Sequence, residues 1–315
     1  LTWSETFGKN YFTAFATQEM RYLDRMSKEA TGYGYQFDKG GVPFIDPRII
    51  KMNVEGNMPY YKMEMFSDRF IALAMNGTYS FDSRYQFTGT ARYDGSNQLG
   101  RSKVARWLPT WNLSGSWNID QEEFMQYQNF FNTLTIRGTY GLTASMGPAT
   151  NASLVLRSAT VNRPFLREQE PVINIEYLEN NELTWEKQYE TNIGIDATFA
   201  NRRYQVVLDF YKRDAFDLIG PIRVSGIGAE AIKIANYADM KSNGIEVLFK
   251  ATVFDKKDWG WKTQLTNAFY NNEITYIKNE PRIWNLVNSV GAAKEGYPHR
   301  GLFSIDFKKL NEFNG

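Results

Sequence analysis

The sequence predicts an all-β protein, a transmembrane antiparallel β-barrel segment of about ten strands, with long connections at one end and short ones at the other. Three observations lead there. Stretches of about ten residues or more alternate ring-rich and polar side chains with a period of two. The connections between them alternate strictly between short and long. Across the seven clearest strands none of the ring-rich faces carries Asp, Glu, Lys or Arg, although these types make up 23% of the chain.

In chain order, a strand through Phe7, a turn at Gly8, Lys9 and Asn10, and a strand from about Tyr11 to Tyr22 come first. A long polar, Gly- and Pro-rich segment over residues 24–68 reads as a loop. Ile71, Leu73, Met75, Tyr79 and Phe81 then share a face before a turn at 82–84. Residues 85–119 state the pattern most clearly. Tyr85, Phe87, Gly89, Ala91 and Tyr93 oppose Gln86, Thr88, Thr90 and Arg92, and Trp111, Leu113, Gly115, Trp117 and Ile119 oppose Thr110, Asn112, Ser114, Ser116 and Asn118. Residues 120–131 suit one or two helical turns. Leu134, Ile136, Gly138 and Tyr140 form the next ring-rich face, followed by a long loop over 142–183. Tyr189, Thr191, Ile193, Ile195, Ala197 and Phe199 follow, and after a turn at 201–202 come Tyr204, Val206, Leu208 and Phe210. A loop is expected over 214–240. Ile245, Val247, Phe249, Ala251 and Val253 lead to a turn at 255–260, a weaker strand over 261–277, and an irregular end.

Composition narrows the function classes. Thirty-six Lys and Arg against 35 Asp and Glu leave a net charge of +1, which gives no electrostatic case for a nucleic-acid partner. Aromatics at 16% with 24 Gly fit a β protein rather than a disordered chain. Cysteine is absent, which removes disulfides and thiolate metal sites. Leu1 opens neither a signal peptide nor an initiator Met, and no apolar run reaches the roughly 18 residues of a membrane helix. Any crossing is therefore made by strands.

A soluble β-sandwich alternates in the same way and is the competing architecture. Strand length, the sorting of short and long connections, and rings near strand ends favour the barrel. Trp107, Trp111, Trp117, Tyr85, Tyr93, Tyr140 and Phe199 are such rings.

Several phrases resemble the SusC-like branch of the TonB-dependent outer-membrane transporters. RYDGSN at 92–97 with Leu99 and Gly100, WLPT at 107–110 and GSW at 115–117 are similar to its R-x-DGSS-x-FG and W-x-x-FPS…GW signature. LTIRGTYG at 134–141 resembles its "LK-hydrophobic-R-x-SYG" strand. NELTWE at 181–186 with NIGID at 192–196 is similar to "NP-x-L-x-WE…N-x-G-x-D". YKR at 211–213, DLI at 217–219, NGIE at 243–246 and EGYP at 295–298 continue the order, so the resemblance covers roughly residues 70–300. LTASMG at 142–147 departs from the glycine-asparagine phrase that follows "SYG" in the family. The resemblance implies a signal peptide, a plug, a TonB box and about 22 strands. Residues 1–315 are therefore expected to be part of one transporter barrel domain, in the outer membrane of a Gram-negative bacterium. It also implies TonB-energised import of an oligosaccharide or peptide beneath a SusD-like surface lipoprotein, in a dimer of transporter-lid pairs.

The chemistry in the residues is sparse. GSNQLGRS at 95–102 fits a phosphate loop except for Arg where Lys is needed, and Pro109 blocks the required helix. A polar hairpin loop explains it better. A ten-stranded outer-membrane protease is the enzyme alternative, but His299, the single His, lies beyond the last readable strand. Glu190, Asp196, Asp209 and Glu246 occupy polar faces, where they either pair across a site or neutralise Arg92, Arg137 and Lys250 along a wet lumen. No His cluster or dense acidic loop points to a metal, and no cofactor is expected. Asn76 and Asn112 begin N-x-S/T triplets inside strands, which is no place for a glycan. Tyr33, Tyr35, Trp284 and Tyr297 stand in long polar loops where rings stack on sugar or peptide groups; ordinary loop packing is the plainer reading. The expected function is import without bond chemistry, with an outer-membrane protease and a soluble carbohydrate-binding sandwich as alternatives.

Overall fold

The computed structural model describes residues 1–32, 35, 36, 38, 40–43, 47, 48, 51, 52, 61–99, 103–147, 152–162, 169–225, 232–287 and 292–306. Ten strands form one sheet: β1 (Thr2–Phe7), β2 (Asn10–Ala30), β5 (Tyr61–Phe81), β6 (Tyr85–Ser96), β7 (Trp107–Asn118), β8 (Phe131–Ser145), β11 (Glu186–Phe199), β12 (Tyr204–Arg223), β13 (Ile232–Asp255) and β14 (Gly260–Ile277). Each pairs antiparallel with the next in that order. Two small ladders sit inside long connections: β3 (Tyr35–Gln36) with β4 (Val42–Pro43), and β9 (Val155–Asn162) with β10 (Gln169–Tyr177). The connections therefore alternate between the two ends of the sheet: the tight turns after β1, β5, β11 and β13 share one end with the longer 119–130 segment, and the connections after β2, β6, β8 and β12 lie at the other.

The register carries one face across the whole sheet. Ser4, Thr13, Thr78, Thr88, Ser114, Thr139, Asn192, Tyr211, Gly244 and Tyr270 pair in one continuous row. The next row, on the opposite face, runs Glu5, Phe12, Tyr79, Phe87, Gly115, Gly138, Ile193, Phe210, Ile245 and Phe269, apolar at every position after the edge strand β1. Alternation along each strand is thus preserved between strands, as a one-sided environment demands. On the apolar side no second sheet covers the rings among the described residues. Phe87, Leu113, Ile193 and Phe269 are 54–65% exposed. A sandwich would bury them, so that alternative fails, and the sheet is a stretch of transmembrane barrel wall.

Rings gather at two levels of this outer face. Near the short turns Tyr85 stacks on Trp117, and Phe130, Phe199, Tyr204 and Phe249 stack in series. Near the long connections Trp111, Tyr140, Tyr189 and Phe216 follow one another, with the Lys187 ammonium over Phe216. On β11 the two levels are Tyr189 and Phe199, about ten residues apart, which is the length of a tilted crossing. These are the aromatic belts of a membrane strand.

Three loop expectations are corrected. β2 and β5 are each 21 residues long, so residues 24–30 and 61–68, expected as loop, form a ladder that runs past the apolar belt. Arg21 with Asp68, Ser67 with Asp24, and Met26 opposite Met65 hold it together. Cross-strand pairs suffice there because both faces are wet. β12 and β13 likewise extend to Arg223 and back from Ile232, inside the expected 214–240 loop. The 142–183 loop contains the β9–β10 hairpin. Between β7 and β8 the expected helical turns are two 3-10 turns, Ile119–Gln121 and Glu123–Met125.

Candidate functional site

The polar face is the candidate site. Small hydroxyl and amide side chains pair across it: Asn76 donates to Thr90 at 2.7 Å, Thr78 meets Thr88 at 3.0 Å, and Thr133 meets Thr198 at 2.6 Å. The Asn76 amide is engaged in the wall.

Arg137 is the most connected charge on this face. It, Gly194, Asp209 and Glu246 occupy one paired row over β8, β11, β12 and β13. Its Nε donates to Asp196 at 2.8 Å, and its Nη2 reaches Asp209 at 2.8 Å on the far side of β11. Gly194 makes that reach possible. A Cβ there would stand 2.5 Å from the Arg137 Cζ, so the guanidinium lies flat where any other residue would project. One planar fork thus holds carboxylates from two strands.

Two further nodes repeat the arrangement. Arg213 donates to Glu190 at 3.0 Å while its guanidinium packs on Tyr211. Arg92 holds Asp94 at 2.6 Å and lies 3.6 Å from Glu19. Arg92 and Arg21 also flank the Phe70 ring, at 5.7 and 5.2 Å from its centre. Strand parity puts Glu246 and Lys250 on this same side as exposed side chains. All seven charged residues singled out from sequence therefore share one face, but their pairing differs from a simple pooling. Asp196 and Asp209 go to Arg137, whereas Glu190 goes to Arg213, which the sequence reading did not select. Arg213 was recoverable, because it lies two and four residues from Tyr211 and Asp209. Gly194 stands in the NIGID phrase at 192–196, but the sequence does not show that its missing side chain makes room for Arg137.

At the short-turn end, Glu122 accepts from the Tyr85 hydroxyl at 2.6 Å, Trp117 Nε1 at 3.0 Å and Arg84 at 3.1 Å. These donors, the tyrosine foremost, hold its carboxyl below the usual carboxylate range. The sequence reading missed this anchor of the 3-10 turns to the aromatic belt.

The loop aromatics are scattered. Tyr33 lies outside the described residues, and Tyr35 belongs to β3. Trp284 is 80% exposed, on a four-residue helix, Ile283–Leu286. Tyr297 packs against Phe303, and Lys294 sits 4.6 Å over its ring. Tyr297 also lies beside the β14 edge, where its carbonyl accepts from Ile274 N. After the phosphate-loop match, the described residues before β7 hold a single helical turn, Lys103–Arg106, in place of the long helix that chemistry needs. His299 is exposed and its backbone N–H donates to Asn272 Oδ1. Among the described residues no group of three or more His, Cys, Asp or Glu is arranged to hold a metal.

Comparison with known proteins agrees with this geometry. A family model described as "TonB dependent receptor-like, beta-barrel" matches residues 2–300. TonB-dependent receptor P39 of Formosa agariphila is 27% identical over 75% of this chain and 22% of its own length. TonB-dependent receptor SusC of Bacteroides thetaiotaomicron is 29% identical over 63% of this chain and 20% of its own. Among solved structures, the RagAB peptide transporter superposes with a TM-score of 0.71 at 19% identity, over 88% of this chain and 29% of that one. The outer-membrane transporter YddB of Escherichia coli gives 0.56 at 12% identity, over 95% and 36%. The chain thus spans about a quarter of the length of the curated relatives it matches.

Proposed function

This chain belongs to the TonB-dependent receptor-like β-barrel family, on its SusC-like branch, and from that premise we propose that residues 1–315 are part of one barrel domain of an outer-membrane nutrient importer. The family is one of receptors and transporters, and this wall contributes passage rather than bond chemistry. The observation that carries the reading is the pairing of a ring-belted outer face, uncharged between its belts from β5 to β8 and from β11 to β13, with an inner face whose arginines are held in ion pairs. The first suits hydrocarbon; the second suits a wet lumen closed by a plug.

In this reading Arg92, Arg137, Glu190, Asp196, Asp209, Glu246 and Lys250 line that lumen. Arg92, Arg137, Arg213 and Lys250 stand against Asp94, Glu19, Asp196, Asp209, Glu190 and Glu246, so this face is mildly acidic, which disfavours a polyanionic cargo and is compatible with an oligosaccharide or peptide. A SusD-like lipoprotein covers the long-loop end, the receptor works as a dimer of such pairs, and TonB supplies inner-membrane energy through a segment outside these residues. Tyr33, Tyr35, Trp284 and Tyr297 meet cargo or lid. The test is uptake by whole cells carrying the full-length receptor. Import of labelled oligosaccharides or peptides should stop on addition of a proton uncoupler and fall in Trp284→Ala and Tyr297→Ala. Uptake indifferent to the uncoupler would remove the TonB reading, and uptake indifferent to both substitutions would remove those residues from the cargo path.

A further inference from the structure

We propose that the described parts of the connections after β6 and β8, together with the far end of the β12–β13 ribbon, form a single cooperative body over the polar face, which opens as one unit or not at all. Long surface loops ordinarily move independently of one another. Here they share a core. Leu99 comes from the β6–β7 connection, Ala152, Leu183 and Trp185 from the β8–β11 connection, and Ile219 from the β12–β13 ribbon. All five are 0–6% exposed and pack together. Leu183 and Leu99, the most deeply buried, belong to different loops, so withdrawing either loop uncovers the other.

The body closes over the polar face from the strand ends. Phe70 and Leu108 pack against this cluster with the parity of Thr78 on β5 and Asn112 on β7, while Ala144, of the outer parity, meets it at the very end of β8. Hydrogen bonds between loops then fix the body. The Asn236 amide on β13 donates to the carbonyls of Thr184 and Asp217, at 2.8 and 2.6 Å, and its oxygen accepts from Thr184 N at 3.0 Å. Asn180 Nδ2 donates to the Ile234 carbonyl, and Trp185 Nε1 to that of Arg106. The β12–β13 ladder shifts register between Ala215 and Leu218, and Asp217 there has φ of 59°. A bulge with a non-glycine residue in the left-handed region bends a ribbon at a cost, and persists where its surroundings determine it. Lys187 binds the Asp217 carboxylate at 2.7 Å, Asp239 accepts from its N–H, and Asn236 takes its carbonyl. Asn236 therefore joins the bend, the TWE segment and, through Trp185, the β6–β7 connection.

Hydrogen exchange on the full-length receptor in nanodiscs, read by peptide mass spectrometry, tests this without any cargo. Asn236→Ala should accelerate exchange together, by about tenfold or more, in peptides covering 96–99, 178–185 and 217–223, while 204–210 and 245–253 stay unchanged. Acceleration confined to the peptides containing Thr184 and Asp217, with 96–99 unaffected, overturns the proposal. Should Asn236→Ala fail to assemble, Trp185→Phe removes the bond to the Arg106 carbonyl and part of the ring packed in the cluster, and leaves Asn236 in place. A smaller but still concerted acceleration supports the single body, and a change at one loop alone, or at none, refutes it.

Discussion

Replacing Ile193 by Arg probes the outer face at its most demanding point. Ile193 is 54% exposed and pairs with Gly138 on one side and Phe210 on the other, so no polar side chain stands directly beside it. The belt rings Tyr189 and Phe199 lie four and six residues away, about 13 and 20 Å along the strand. That exceeds what an arginine can span to reach water by snorkelling. A charge at the midplane of a barrel strand costs about 2 to 4 kcal/mol, which lowers the folded-to-unfolded ratio by a factor of about 30 to 1,000. In the full-length receptor, Ile193→Arg should therefore assemble poorly, read by heat-modifiable migration and by urea titration of folding into vesicles. The neighbour Asn192, in the row with Thr139 and Tyr211, is the control. Asn192→Arg should assemble close to normally. Normal assembly of Ile193→Arg, or failure of Asn192→Arg alone, would refute the assignment of faces.

Three more outcomes are expected. Arg137→Leu strips the counter-ion from Asp196 and Asp209; with the three side chains 34%, 36% and 20% exposed, the loss should be about 1 to 2 kcal/mol in the urea midpoint rather than the larger figure of a sealed pair. Gly194→Val should displace the same guanidinium, so the double variant with Arg137→Leu should be less destabilised than the sum of the two, as a double-mutant cycle reads directly. Glu122 has its carboxyl lowered from the ordinary 4.5 in the folded protein, chiefly by the Tyr85 hydroxyl, so its contribution is complete above that value and is lost as pH falls through the lower folded one. Thermal unfolding measured from neutral pH to about pH 3 should show acid destabilisation that Glu122→Gln flattens, and an unchanged acid limb in that variant would count against this anchor.

The wall itself was legible. From β5 to β8 and from β11 to β13, one face meets hydrocarbon and the other water, so every strand writes the same two-residue period into the sequence. The shared face of Arg137, Asp196, Asp209 and Glu246 follows from that parity. Where the environment stops being one-sided the signal stops as well. Residues 24–30 and 61–68 are solvated on both faces, and charged or methionine positions there give no alternation, although they pair residue for residue. Leu99, Leu183 and Trp185 look in sequence like isolated apolar residues in polar loops. Only the fold brings three loops together around them. The span of Arg137 across Gly194 depends on register between β8, β11 and β12, which no single strand records.

The central claim is that one side of each strand faces hydrocarbon and the other an aqueous lumen. Because the chain has no cysteine, single cysteines carrying a nitroxide label read this directly, position by position along β8 from Leu134 to Thr143. In membranes, oxygen accessibility should peak at 134, 136, 138, 140 and 142, and accessibility to a polar nickel reagent should peak at the positions between. Accessibility without a two-residue period, or nickel collisions highest at Ile136 and Tyr140, would contradict the account.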